Sequence, residues 1–380
     1  MNFQEAESLE ERLELMGSLA GRFAERAANL DEEGGFPFAN IDDLRKSGYT
    51  SLTVPKRYGG EEISLYEMVR LQERLAAGDG STALSIGWHM GIMKNLGEKK
   101  LWDEEIYRKV CKEALAGALL NGAASEAGTG SPTRGGRPQT TAEKDGQYWV
   151  LNGRKTFTTM SPVLDYFIVS ASAQDSDKTG NFLIHRSAEG LSIEETWDSV
   201  AMRGTGSHDL VLKNVRISEE YFVEEFVPGK KGANGWLLHI PACYLGIAWA
   251  AQTYAVQFAN EYSPNSIQGT IIDIPAVRQR IGEMELELMK SRHFLYSVAK
   301  QWDSSSEEDR AQMSPELGAV KLEVTNGAIR VVDLAMRIVG ARSLSQKNPL
   351  QRYYRDVRAG LHNPPMDDMT IELLARSVIR

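Results

Sequence analysis

From about residue 229 to the end of the chain, apolar residues recur at intervals of three and four. Val277, Ile281, Met284, Leu288 and Leu295 fall on one helical face. Leu317, Val320, Val324, Ala328, Val331, Ala335 and Ile338 do the same on the next segment. A helix returns such positions to one side every turn, so each stripe needs a partner helix of similar length to leave water. The pattern predicts long antiparallel helices in a four-helix bundle. Residues 233–262 are expected to be its first helix and 367–380 its last.

The two preceding segments have different textures. Residues 1–121 read as a helical domain, with helices expected near 5–30, 38–47, 64–77, 81–96 and 98–111, and Gly34-Gly35 stopping the first. Residues 122–228 read as a β domain. Asp145-Gly146 and Asn152-Gly153 are tight-turn signals, and residues 165–171, 181–185 and 208–217 carry alternating or β-branched patterns. Short strands broken by turns predict a compact β-barrel or sandwich rather than βαβ units. The fold class is therefore α+β in three parts: 1–121 helical, 122–228 β, and 229–380 helical bundle.

A chain of 380 residues can bury cores for two or three domains. Its net charge of −9 argues against nucleic acid, which requires concentrated Lys and Arg. It leaves room for an anionic cofactor held by loops and helix ends. Cys111 and Cys243, far apart in sequence, suggest a reducing compartment rather than a disulfide framework. The polar start, Met1-Asn2-Phe3-Gln4-Glu5, is unlike a secretory signal, and no stretch reaches the ~18 apolar residues of a membrane span. A cytoplasmic location with no membrane partner is expected. The six histidines are scattered without metal-ligand spacing, so no metal site is expected. A three-glycine Rossmann fingerprint is absent from the sequence.

Four segments could carry chemistry. In Ala124-Ser125-Glu126-Ala127-Gly128-Thr129-Gly130-Ser131, small residues allow a phosphate close to the backbone and hydroxyls can donate to it, although such loops also serve as plain turns. In Leu151 to Thr159, Phe157 stands beside Thr158 and Thr159, a grouping suited to a planar cofactor or to an ordinary hairpin. Met202 to Leu210 reads as a loop between strands with Arg203 and Asp209 as a local ion pair. The last group joins Arg337, Gly340 and Ala341 to Tyr354-Arg355-Asp356 and to His362 before Pro364-Pro365. There Gly340 reads as a helix cap and His362 as a packing residue or a base.

In this order, the segments resemble the acyl-CoA dehydrogenase family over nearly the whole chain. Pro55-Lys56-Arg57-Tyr58-Gly59-Gly60 is similar to its P-x-x-Y-G-G element, and Ser125 to Ser131 to its T-E-P-G-A-G-S signature. Leu151 to Thr159 resembles I-N-G-x-K-x-W-I-T, Arg203 to Val215 resembles R-G-T-G-S-x-D-L-x-x-x-x-V, and Tyr354-Arg355-Asp356 matches Y-R-D. The resemblance implies an oxidoreductase of fatty acid metabolism, with FAD between the β domain and the bundle. It implies that Ala124, Ser125, Gly130 and Ser131 contact the flavin and its phosphates, and that Phe157, Thr158 and Thr159 flank its ring. Arg337, Gly340 and Ala341 would meet the adenine end from a neighbouring subunit of a homodimer or homotetramer. The implied reaction is α,β-dehydrogenation of an acyl-CoA thioester, with an electron-transfer flavoprotein as acceptor.

The departures bear on that reaction. The family's Y-E-G-T glutamate falls at Pro364, and the alternative early in the first bundle helix falls in Gly235-Trp236-Leu237-Leu238-His239-Ile240, which has no carboxylate. The R-x-x-F-G element is missing around residues 263–269. Loss of a general base costs about 10²–10⁴-fold in rate. His362 is the nearest replacement, since an imidazole titrates near 6.5; Asp367 and Asp368 read as helix-start carboxylates. The run from Arg355 to Pro364 resembles a monooxygenase branch of the superfamily that uses reduced FMN or FAD from a flavin reductase. A flavin-binding protein without turnover is the third expectation.

Overall fold

The computed structural model describes residues 2–129, 135–174, 178–229 and 232–379. Gly130 and Ser131, expected at the phosphates, lie outside them.

The N-terminal part holds α1 (Leu9–Glu33), α2 (Phe38–Lys46), α3 (Leu65–Ala76), α4 (Gly80–Lys99) and α5 (Glu104–Leu115). Ser8 caps α1 by accepting from the Glu11 N–H, and Gly34 ends it in a left-handed conformation at φ 66°. The expected helix at 98–111 is displaced. Instead, α4 runs on to Lys99, and α5 begins after Asp103, whose carboxylate accepts from the Glu105 and Ile106 N–H groups. Buried on nearly every side, α4 is held against the sheet by His89, whose Nδ1 accepts from the Leu120 N–H while Nε2 donates to the Thr50 carbonyl.

The middle part contributes β1 (Leu120–Ala123), β2 (Thr141–Asp145), β3 (Tyr148–Thr158), β4 (Tyr166–Ala173), β5 (Thr179–His185), β6 (Leu191–Glu194), β7 (His208–Ser218) and β8 (Phe222–Phe226). They form one sheet in the order β6-β7-β3-β2-β4-β5-β8, with β1 parallel to β4. Asp145-Gly146 makes the expected tight turn, since Asp145 faces Tyr148 across the β2–β3 pair. Asn152-Gly153 does not. There β3 runs straight through with a register shift against β7, because the Asn152 side chain accepts from Asn214 N–H on the opposite strand. A Cβ on Gly153 would lie 2.5 Å from Thr140 Oγ1, so glycine here serves close approach rather than a turn.

The C-terminal part comprises α6 (His239–Glu261), α7 (Pro275–Ser304), α8 (Glu307–Gln312), α9 (Ser314–Val339), α10 (Pro349–Arg358) and α11 (Asp367–Val378). The apolar stripes face the core, and α9 packs along α6 and α7. No helix among the described residues is long and apolar enough to cross a membrane. Cys111 and Cys243 are buried free thiols.

Tyr354-Arg355-Asp356 binds the three parts together. Arg355 forms a salt bridge with Asp31 at the end of α1 and donates to the Val200 carbonyl before β7. Asp356, fully buried on α10, accepts from the Met202 N–H at 2.6 Å. Burial raises its pKa from 3.8 to about 7, against the pull of the Met202 N–H and Arg352. The native state therefore holds this proton more tightly than the unfolded chain. Stability contributed by the neutral carboxyl falls as pH rises through about 4 to 7 and then levels off. Asp356→Asn should remove that slope while still accepting from Met202 N–H. Asp356→Ala should lack the slope as well and, by orphaning that donor, should be about 1–3 kcal/mol less stable than Asp356→Asn at either pH. Urea midpoints at about pH 5 and pH 8 check both, and an unchanged slope in the Asn variant would refute the assignment.

Candidate functional site

One side of β3 points Lys155 into the interior, where its side chain is 0% exposed. A lone buried ammonium is costly, and its Nζ is met by Glu126 Oε1 at 2.6 Å and Ser170 Oγ at 3.1 Å. Glu126 has no spare capacity. It accepts from Thr140 N and Oγ1 at 2.9 and 2.6 Å, from Gln139 N at 2.6 Å and from Thr129 Oγ1 at 3.3 Å. Burial pushes this carboxyl up, but Lys155, Thr140 and the two N–H groups outweigh it and leave it at about 2. Burial lowers Lys155 to about 8 despite its partner. With the Thr156 N–H donating to Ser125 O at 2.8 Å, the pair fastens the Ser125–Thr129 stretch onto β3.

That anchoring sets the conformation of the residues after Lys155. Phe157 is held at φ 55°, an unfavourable backbone for a bulky residue, and the residue is 65% exposed, left uncovered by the chain itself. Trp197 meets it edge-on, with centroids 5.9 Å apart. Next to it, Thr158 is buried with a hydroxyl that has no partner. Thr159 Oγ1 lies 2.9 Å from Ser207 Oγ, which lies 2.9 Å from Thr205 Oγ1, and the Asn121 amide donates to the Thr159 carbonyl. The structure thus groups Ser125, Phe157, Thr158 and Thr159 at one end of β3, backed by the Arg203–Thr205 turn, with Ala124 next to Ser125 in the chain.

The expected Arg203–Asp209 ion pair is not formed. Arg203 donates to the Asp31 carbonyl at 2.6 Å, closing the turn on α1, while Asp209 takes Arg154 at 2.7 Å from the adjacent strand. Cross-strand geometry favours Arg154, which β3 places beside Asp209 on β7. Arg337, Gly340 and Ala341 are exposed at the end of α9 and make no hydrogen bond to the β3 group among the described residues.

A cleft of about 720 Å³ opens between α4, the turn before α6, α9 and α11. Trp88, Trp236, Leu237 and Leu317 give it an aromatic and apolar wall, and Pro364 and Pro365 close one side. The position of the family's usual glutamate is therefore at the cleft, but as proline. Lys321 lines it, with Nζ donating to Asp367 Oδ1 at 3.1 Å, and Asp367 also accepts from Asn326 in the first turn of α11. Glu372, the carboxylate among the described lining residues, is exposed and paired with Arg376 at 2.7 Å. His362 is exposed two residues before the proline wall and does not line the cleft.

Sequence reasoning singled out neither Glu126, Lys155 nor Asn121 for a role, and it did not place Trp88, Trp236, Lys321 or Thr370 at a site. Lys155 carried a signal, since strand alternation puts a charge on the side that Leu151 buries. The cleft residues come from four separate elements and had none.

Models of the acyl-CoA dehydrogenase N-terminal, middle and C-terminal domains match residues 11–101, 121–215 and 238–377. The putative acyl-CoA dehydrogenase YdbM of Bacillus subtilis (strain 168) is 59% identical, across 96% of this chain and 95% of its own length. The dibenzothiophene monooxygenase of Rhodococcus erythropolis is 27% identical, over 91% of this chain and 88% of its own. The structure of KijD3 in complex with FMN and dTDP-3-amino-2,3,6-trideoxy-4-keto-3-methyl-D-glucose superposes with a TM-score of 0.87 at 25% identity. It covers 99% of this chain and 95% of that one.

The buried pair can be tested directly. Lys155→Met leaves the Glu126 carboxylate buried without a cation and should cost about 3–5 kcal/mol. Adding Glu126→Gln should recover part of that loss, because no charge is left buried and the amide oxygen still accepts from Thr140, although the Gln139 N–H loses its acceptor. Because folding depresses the Glu126 pKa, the pair's contribution is present above about pH 4.5 and lost as pH falls toward 2. Equal urea midpoints for wild type and Lys155→Met would refute this account.

Proposed function

Because the chain belongs to the acyl-CoA dehydrogenase family, we propose that it is a flavin-dependent oxidoreductase whose cleft holds a small-molecule substrate for monooxygenation. The residues at the end of β3 suit a flavin. Phe157 presents an uncovered aromatic face, and the Thr158 hydroxyl is buried without a partner, as expected where a planar ring with polar edges is received. Ala124, Ser125, Phe157, Thr158 and Thr159 would hold FMN or FAD there, with Gly130 and Ser131 at its phosphates. Arg337, Gly340 and Ala341 would reach it from a second subunit of a homodimer or homotetramer. A bound reduced flavin supplies two electrons to dioxygen, so that one oxygen atom enters the substrate and the other leaves as water.

The observation that carries the reading is the cleft's lack of a free carboxylate among the described residues. Glu372 is exposed and paired with Arg376, and Pro364 stands where a base would. Removing the α-proton of a thioester requires a positioned base, whereas oxygen insertion does not. This chain's residues then bind and orient the substrate and exclude water with the tryptophan and proline walls. His362, exposed two residues before that wall and outside the lining, is the group we assign to proton transfer with solvent. A flavin reductase is the corresponding partner, in the cytoplasm. The similarity to YdbM favours a second reading, in which FAD dehydrogenates an acyl-CoA, His362 acts as base and an electron-transfer flavoprotein accepts the electrons.

The two readings part in one experiment. The protein is titrated anaerobically with acyl-CoA thioesters, and oxygen uptake is then followed with reduced FMN. Substrate-dependent oxygen uptake without bleaching by any thioester is the expected result, and bleaching would overturn it in favour of dehydrogenation. His362→Ala should lower turnover at least about tenfold, leaving flavin affinity unchanged. Independently, Phe157→Ala should raise the Kd for FMN or FAD about tenfold, about 1.4 kcal/mol, read from quenching of flavin fluorescence. An unaltered Kd would remove Phe157 from the flavin site.

A further inference from the structure

Behind Thr159 the side-chain hydroxyls form a chain whose direction the fold determines. It starts at Met202, which holds a left-handed backbone at φ 52° before the Arg203–Thr205 turn. The Met202 N–H donates to Asp356 Oδ1 at 2.6 Å. Its carbonyl receives the Thr205 N–H at 3.1 Å and the Thr205 hydroxyl at 3.0 Å, while Trp197 Nε1 is shared between this carbonyl and that of Arg203. Thr205 Oγ1 then lies 2.9 Å from Ser207 Oγ, which lies 2.9 Å from Thr159 Oγ1. Thr205 and Ser207 are buried, and Thr159, at the open end beside Phe157, is half-buried.

A hydroxyl has one proton to give and two lone pairs to offer, whereas a carbonyl only accepts. The Thr205 proton is therefore committed to Met202. Turned toward Ser207, it would leave two oxygens 3.0 Å apart with their lone pairs opposed. Ser207 must then donate to Thr205, and Thr159 must donate to Ser207. The other polar groups of Thr159 are also spent. Its N–H donates to the Phe157 carbonyl at 2.9 Å, and its carbonyl accepts from the Asn121 amide at 2.9 Å. What Thr159 keeps is the lone pairs of Oγ1, to which nothing donates among the described residues. The turn is fastened to this strand end by the Met160 N–H on the Thr205 carbonyl at 2.9 Å and by Ser161 Oγ on the Gly206 carbonyl at 2.8 Å.

Flavin chemistry gives this polarity a consequence. Apart from its N3–H, the polar rim of the oxidised ring consists of acceptors, N5 among them. Reduction by two electrons adds a proton at N5 and turns it into a donor. A hydroxyl that only accepts opposes the lone pair of the oxidised N5 and is met by the N–H of the reduced one.

Resting on the reading of the β3 end as the flavin site, we infer that Thr205 and Ser207 are positioning residues that lock the Thr159 hydroxyl as an acceptor for the flavin N5–H, so that the site selects the reduced flavin. They act through the direction of the hydroxyl chain.

The test is anaerobic calorimetry of the full chain with oxidised FMN and with FMN reduced by dithionite. Reduced FMN should bind at least about tenfold more tightly, equivalent to a rise of about 30 mV in the potential of the bound flavin. Thr205→Val removes the hydroxyl that sets the direction and lets Ser207 and Thr159 reverse; it should shrink the ratio of affinities at least about threefold. Ser207→Ala frees the Thr159 proton and should do the same, whereas Thr205→Ser should keep the wild-type ratio. A role in folding alone would weaken both redox forms alike and leave the ratio unchanged. Equal affinity for the two forms, tighter binding of oxidised FMN, or a ratio that survives both Thr205→Val and Ser207→Ala would overturn the inference and leave the flavin reading standing. No binding of either form at millimolar concentration would remove the flavin reading, and this inference with it.

Discussion

The contact between Lys155 and Glu126 is the constraint on which the Phe157 end of the sheet depends. Two ions out of water are tolerated only when every lone pair and proton is met, and here Thr140, Gln139, Thr129 and Ser170 complete the set. Because the partners come from a loop, from the approach to β2 and from β3 and β4, the pair does more than stabilise. It fixes the relative register of segments that hydrogen-bonded ladders alone leave free. The unfavourable backbone of Phe157, two residues on, is maintained by surroundings of that kind rather than by its own preference.

A second tie acts at longer range. Arg355 and Asp356 sit side by side on α10 yet serve different ends, one closing on Asp31 of the first helix and the other on the Met202 N–H before β7. Arg203 returns to the same helix end through the Asp31 carbonyl. The three parts of the chain are therefore joined at one knot of charged groups. The buried carboxyl within it is neutral or ionised according to conditions near neutrality.

Much of the architecture was legible because periodicity reports it directly. The stripes through Leu288 and Val324 required buried helices, and the Gly34 stop and Asp145-Gly146 turn follow from backbone chemistry. Asn152-Gly153 misled, since the same dipeptide that favours a turn also permits close passage of a neighbouring strand, and sequence alone does not distinguish the two. Arg203 and Asp209 misled for a related reason. Six residues apart in sequence, they are parted by a turn, and Arg154 reaches Asp209 from the neighbouring strand. At the candidate site, Phe157, Thr158 and Thr159 were readable as a contiguous motif. The cleft was not, for Trp88, Trp236, Lys321 and Thr370 meet only through tertiary packing.

The last dozen residues supply Met369, Thr370, Glu372, Leu373 and Arg376 to the cleft, whereas the Phe157–Thr159 group lies on β3 and its flank. The two groups thus come from distant stretches of the chain. On the proposed reading, changes confined to α11 would reshape the wall of the cleft without touching β3.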